Sequence, residues 1–278
     1  MAKLCAVLAV AFLFPPAAAA HLRSGTVAVD YRPRIVRAPG GPVSVGVYLS
    51  DRALHLSVAN GHSLVVYGYL GEPLLRIRDV GAAVATSSPT AAATRLVVHG
   101  RSAVWHDVRT SRTRWSVPVE IDGVRTSIVG ITQRLARPRL WLWLVLLVAA
   151  ALAGARGSPA MLGTISAAAA IVVAAAFALS TYASPGTWIA GVDEFFFAAA
   201  GFGVLRWGPP VARLPAALWL SLLGVAVGLS KGQVFLHSLA LAALPGTFTR
   251  ALTTIAIGAG VTGAALACRS YIRSERAS

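Results

Sequence analysis

Residues 137–156, RPRLWLWLVLLVAAALAGAR, divide the chain between two solvents. Arg137 and Arg139 bracket a proline, Trp141 and Trp143 follow, and no further charge occurs before Arg156. Tryptophans at the head of an uncharged run mark a membrane interface, so residues 140–155 read as a first membrane span. Upstream, residues 21–137 are arginine-rich and alternate in polarity; downstream, Ala-, Leu- and Val-rich segments run almost to the C-terminus. The fold class that follows is a membrane protein with an exported all-β, sandwich-like domain and then an α-helical bundle of five or six transmembrane helices.

Composition agrees. Of 278 residues, 56% are hydrophobic and 13% charged, against about a quarter charged in soluble domains. Residues 1–20 hold Lys3, an apolar run over 4–14, Pro15-Pro16 and four alanines. That is the pattern of a signal peptide cleaved after 18–20, with an uncleaved anchor as the alternative, and cleavage makes His21 the mature N-terminus. The expected domains are thus a signal peptide (1–20), an extracytoplasmic β domain (21–137), a transmembrane region (138–268) and a basic tail (269–278). Cys5 and Cys268 both fall outside 21–137, so the β domain has no disulfide and rests on its core. The net charge of +15 is almost wholly arginine, lysine occurring only at 3 and 231, a bias that reads mainly as coding composition. Basic residues scattered along exported strands, rather than clustered on one element, argue against nucleic acid as a partner. The bilayer and an envelope protein are the partners expected.

Between 21 and 137, β-branched and aromatic runs alternate with Gly, Pro, Asn and Asp, which predicts strands. They fall at 26–35, 43–49, 53–58, 64–69, 74–77, 95–99, 103–105, 114–121 and 125–132, with hairpin turns at Asn60-Gly61 and Asp122-Gly123. Beyond 140–155, further spans are expected at 161–183, 188–205, 214–229 and 251–268. Residues 234–244 form an eleven-residue apolar run, a length more often re-entrant than spanning; counting it makes six spans, omitting it five. Export of the β domain puts Arg156, Arg206 and Arg213 inside, as the positive-inside rule prefers. Arg269, Arg273 and Arg276 fall inside with five spans and outside with six.

Few residues invite chemistry. Asp193 and Glu194 sit inside the third expected span, and His237 lies in the 234–244 run. Ionisable groups at such depth are functional by default, and the three could meet beneath the β domain to bind a cation or relay a proton. The plainer reading is hydration, or pairing with Lys231. His21, as a mature N-terminus, offers an α-amine and an imidazole together, a chelating pair suited to copper(II). His106-Asp107, His99, His62 or His55 would complete such a site. No spacing matches a zinc or calcium motif. Tyr67 and Tyr69 share one strand face beside the turn Gly71-Glu72-Pro73. No Ser/His/Asp or Cys/His arrangement occurs, so an enzyme is not the expected class.

Three motifs carry a resemblance: YGYLGEPLLR at 67–76, Ser88-Pro89-Thr90, and Val104-Trp105-His106-Asp107. With Val234-Phe235-Leu236-His237 and Ala243-Leu244-Pro245, they make the chain similar to a family of uncharacterised actinobacterial membrane proteins. Its members combine a signal peptide, an extracytoplasmic β domain and a helical membrane region. Many relatives carry Trp-His-Asp-His-Arg followed by another His and a Met, which implies metal binding and a similarity to bacterial copper-resistance proteins. This chain keeps Trp105, His106, Asp107 and Arg109 but has Val108 at the second histidine position and no methionine in 21–137. A copper(I) thioether site is thereby disfavoured, leaving a copper(II) set of His21, His106 and Asp107. In the structural alternative, Asp107 and Arg109 close a turn by hydrogen bonds and an ion pair. The expected function is therefore a non-enzymatic envelope protein in copper handling, with a membrane-anchored interaction module or an ion-coupled transporter as alternatives.

Overall fold

The computed structural model describes residues 26–180 and 187–277; the expected signal peptide and His21 lie outside the described residues. The chain divides into two compact units. One is Val29–Ala136; the other joins the described residues from Arg137 onward to residues 26–28.

In chain order, the strands and helix of the N-terminal part are β1 (Ala28–Val29), β2 (Tyr31–Arg37), β3 (Val43–Val47), β4 (Ala53–Val58), β5 (Leu64–Tyr67), β6 (Pro73–Arg78), β7 (Gly81–Val84), α1 (Pro89–Ala93), β8 (Leu96–His99), β9 (Ser102–His106), β10 (Arg114–Ile121) and β11 (Val124–Arg134). A six-stranded sheet has the order β2-β11-β10-β5-β6-β7, and a four-stranded sheet the order β3-β4-β9-β8. All their pairings are antiparallel. Side chains alternate between faces with period two. Leu54, Leu56 and Trp105 of the smaller sheet therefore join Val66, Leu75, Val117, Val119 and Ile128 of the larger in one core. This β-rich part with two sheets matches the expected all-β domain.

Local turn chemistry explains one connection and misleads on another. Asp122 and Gly123 both take positive φ, 49° and 82°, as a tight hairpin requires, and they join β10 to β11. Asn60-Gly61 is not a hairpin between paired strands, as expected: it carries the chain from β4 in one sheet to β5 in the other. The crossover is held by Arg101, whose guanidinium donates to the carbonyls of Val58, Ala59 and His62 and to Asp79. β7 and α1 were not expected. β7 is Gly-Ala-Ala-Val, without β-branched alternation, and α1 depends on Ser88 Oγ accepting from the Ala91 amide at 3.2 Å.

The second unit contains α2 (Leu140–Gly154), α3 (Pro159–Ala178), α4 (Thr187–Trp207), α5 (Pro210–Ser230) and α6 (Gly246–Ala277). Three are long and apolar enough to cross a membrane: α3, α5 and residues Gly246–Ser274 of α6. α2 is equally apolar but only 15 residues long, and α4 carries Asp193, Glu194 and Arg206. Small residues let α3, α5 and α6 approach closely. Gly163 lies against the Ala217 carbonyl, Gly224 against Ser166, and Ser166 Oγ donates to the Ala256 carbonyl at 2.6 Å. The run 234–244 is no helix, so the sixth expected span is absent. Gly232–Phe235 form a 3-10 turn and Leu239–Ala240 a short strand, β12, which pairs with β1. Glycine at 232 and proline at 245 limit what would be too short a helix.

Gly130 faces Trp115 across the β10–β11 ladder, and an added Cβ there would overlap the indole ring. Gly130→Ala should destabilise the β domain by about 1–3 kcal/mol through overpacking. Denaturant unfolding of the full chain, followed by tryptophan fluorescence, measures this.

Candidate functional site

The three sequence motifs, far apart in the chain, meet in one hydrogen-bonded network. At the β5–β6 turn, the Glu72 carboxylate accepts from Ser88 Oγ at 2.7 Å, from the Leu70 amide at 3.0 Å and from the Thr90 amide at 3.3 Å. Thr90 Oγ1 in turn accepts from the Tyr69 amide at 2.8 Å. Only glycine fits at 68, because a Cβ would overlap Glu72 and Thr90. Hydrogen bonds from Thr90 and Ser88 hold the Glu72 carboxyl down to about 2.

Beyond β9, Asp107 caps a 3-10 turn, Val108–Ser111. Its side chain is fully buried. Oδ1 accepts from the Arg109 amide at 3.0 Å and Arg109 Nε at 2.8 Å; Oδ2 accepts from Trp105 Nε1 at 3.1 Å and Arg109 Nη2 at 2.7 Å. Four donors fill the lone-pair directions of a carboxylate. Arg109 continues to the carbonyls of Tyr67 and Gly68 at 3.3 and 3.5 Å, and its guanidinium lies 5.0 Å from the centre of the Tyr69 ring. The Tyr69 hydroxyl accepts from the Val108 amide at 3.1 Å, and burial pushes its phenol up, so it stays protonated. The expected turn-closing roles of Asp107 and Arg109 are both present in this geometry.

His106 points away from this network. It occupies an outward position of the four-stranded sheet opposite Ala53, and its Nε2 stands 3.6 Å from Asp51 Oδ2. The Asp51 side chain is 10% exposed. Its Oδ1 accepts from the Ala53 amide at 3.1 Å, whereas its buried Oδ2 has no hydrogen-bond partner among the described residues. Asp51 was not singled out from the sequence, where nothing but its position in a turn distinguishes it.

The other expected donors stand apart. His55 stacks on Tyr48 over Gly46, His62 Nδ1 bonds Asp122 at 2.7 Å, and His99 is exposed at the end of β8. In the second unit Asp193 is exposed and Glu194 half-buried, with Lys231 and Asp193 the charges that bear on Glu194. Lys231 Nζ itself lies 5.5 Å from the centre of the Phe177 ring. The His237 carbonyl accepts from Arg250 at 2.8 Å. Arg250, not foreseen, is buried in α6 and donates also to the carbonyls of Val234 and Ser238 at 2.6 and 2.7 Å. Among the described residues, no three His, Cys, Asp or Glu side chains gather as a metal site would require. No protein-family model, curated protein or solved structure matches the chain.

Two expectations follow. A carboxyl whose folded value lies below its ordinary 4.5 contributes stability that is complete above that value and lost as pH falls toward about 2. Thermal unfolding across pH 5 to 2 should therefore fall more steeply for the native chain than for Glu72→Gln. Asp107→Ala strands the Arg109 guanidinium and the Trp105 indole N–H, at a cost of about 3–5 kcal/mol. Near-ultraviolet dichroism and denaturant unfolding should show it, with Arg109→Lys in between.

Proposed function

We propose that the chain is an integral, non-enzymatic membrane protein of the cell envelope whose exported β domain serves as an interaction module. One observation carries this reading: the motif residues that stand out in the sequence spend their polar groups on one another. Glu72 is satisfied by the 88–90 segment and Asp107 by Trp105 and Arg109, which makes a rigid scaffold without a reactive group. The signal-peptide pattern supports export of the domain. The lack of a helix over 234–244 supports five spans, α2 to α6, rather than six. Five spans put Arg269 and Arg273 in the cytoplasm, in keeping with the positive-inside rule. The resemblance to actinobacterial envelope proteins belongs to the same proposal.

A second reading, copper handling, is favoured by the unpartnered Asp51 Oδ2 facing His106 Nε2. These two side chains, and not the saturated carboxylate of Asp107, are the described residues that fit a metal. His21 would be the further donor.

A Cu(II) titration of the full chain, followed by spin resonance, separates the readings. The interaction module predicts no stoichiometric binding. Copper handling predicts one-to-one binding that both His106→Ala and Asp51→Asn abolish. A photoreactive residue at Ser116 or at Ser57, on the outward faces of the two sheets, tests the module itself. Discrete cross-linked adducts in intact cells are expected from at least one position, and none from either would overturn it.

A further inference from the structure

Arginines that are scattered in the sequence converge on one surface. Alternation about the partly buried Ile35 and the buried Ile77, Trp115 and Ile128, with a bulge in β2 after Ile35, turns Arg32, Arg34, Arg37, Arg76, Arg78, Arg114 and Arg125 outward on the six-stranded sheet. All seven are exposed. They lie on β2, β11, β10 and β6, which with β5 between the last two span four interstrand gaps, about 19 Å. Glu120 is the carboxylate that shares this face, and it lies 3.7 Å from Arg125. The outward positions of the four-stranded sheet carry Ser44, Ser57, Ser102, His55, His99 and His106, and no arginine. A coding bias toward arginine would load both sheets alike, so this segregation reflects placement.

We infer that this face docks a linear, phosphate-bearing polyanion outside the membrane; the inference rests on the interaction-module reading. Arginine forks match phosphate oxygens in pairs. A folded acidic protein would need a well-exposed apolar centre to bind against, but Val65, Val129 and Ile131 on this face are only partly exposed, and the fully exposed positions beside them are Ser116 and Pro118. The nearby Tyr67 hydroxyl is committed to Glu120 at 2.6 Å. A lipid surface would call for exposed aromatic or leucine side chains to insert, and the aromatic at the outward positions of β11, β10 and β5 is Tyr67, which is half-buried with Arg125 over its ring. What remains is charge spread across a broad sheet face, which suits a chain bound through counterion release.

The test uses the full chain in neutral detergent with fluorescent long-chain polyphosphate as the probe, followed by anisotropy over a salt series. Affinity should fall linearly with salt on logarithmic axes. Arg32→Ser/Arg34→Ser and Arg76→Ser/Arg78→Ser should each weaken binding by about tenfold and flatten the slope by about two. The matching Lys pairs should retain most binding, and Arg206→Ser/Arg213→Ser, outside the sheet, should change nothing. Equal loss from that control pair, indifference to the sheet pairs, or binding only to phosphatidylglycerol vesicles overturns the inference. If polyphosphate fails while Ser116 still cross-links to an envelope protein, the polyanion is wrong and the interaction module stands. If Ser116 and Ser57 both give no adduct, the module fails with it.

Discussion

The β domain depends on one buried carboxylate. Asp107 has nowhere to be solvated, so its charge is tolerable only because Arg109 lies against both of its oxygens and Trp105 donates to one of them. That requirement ties distant parts together. Trp105 belongs to the core of the four-stranded sheet, while Arg109 reaches the carbonyl of Tyr67 at the end of β5 in the other. A single ion pair thus fixes the register of two sheets at one end of their shared core. The Glu72 network repeats the device nearby, with an acidic side chain replacing backbone partners that the β5–β6 turn lacks.

Such a network uses up the chemistry that made the motif conspicuous. Trp-His-Asp reads as a metal motif in one dimension because adjacent side chains are counted together. In a strand they point to opposite faces, so His106 and Trp105 part company and Asp107 follows the tryptophan inward. The carboxylate that does face His106 belongs to Asp51, on the turn between β3 and β4. Only the antiparallel pairing of Ala53 with His106 brings it there.

Much of the architecture was legible because the two solvents impose different periods. Strands β2 to β6 and β8 to β11 were visible as alternation, and α3, α5 and α6 as long apolar runs. What was not legible were choices of partner. Asn-Gly at 60–61 specifies a local backbone shape but not which strands it joins, and Arg101 decides that from forty residues away. An apolar run over 234–244 says only that it is buried, and its carbonyls are met by Arg250 from α6 instead of by a helix of its own. The arginines of the large sheet looked dispersed for the same reason: the surface that collects them exists only after five strands have paired.

Arg250 also sets an order of assembly. The segment that it holds leaves the ribosome before α6 does, and the carbonyls of Val234, His237 and Ser238 have no such donor until that helix arrives. β12 lies within that segment, and its partner β1 was made about two hundred residues earlier. The pairing of β1 with β12 can therefore form only late in synthesis, when the segment that Arg250 holds has been made.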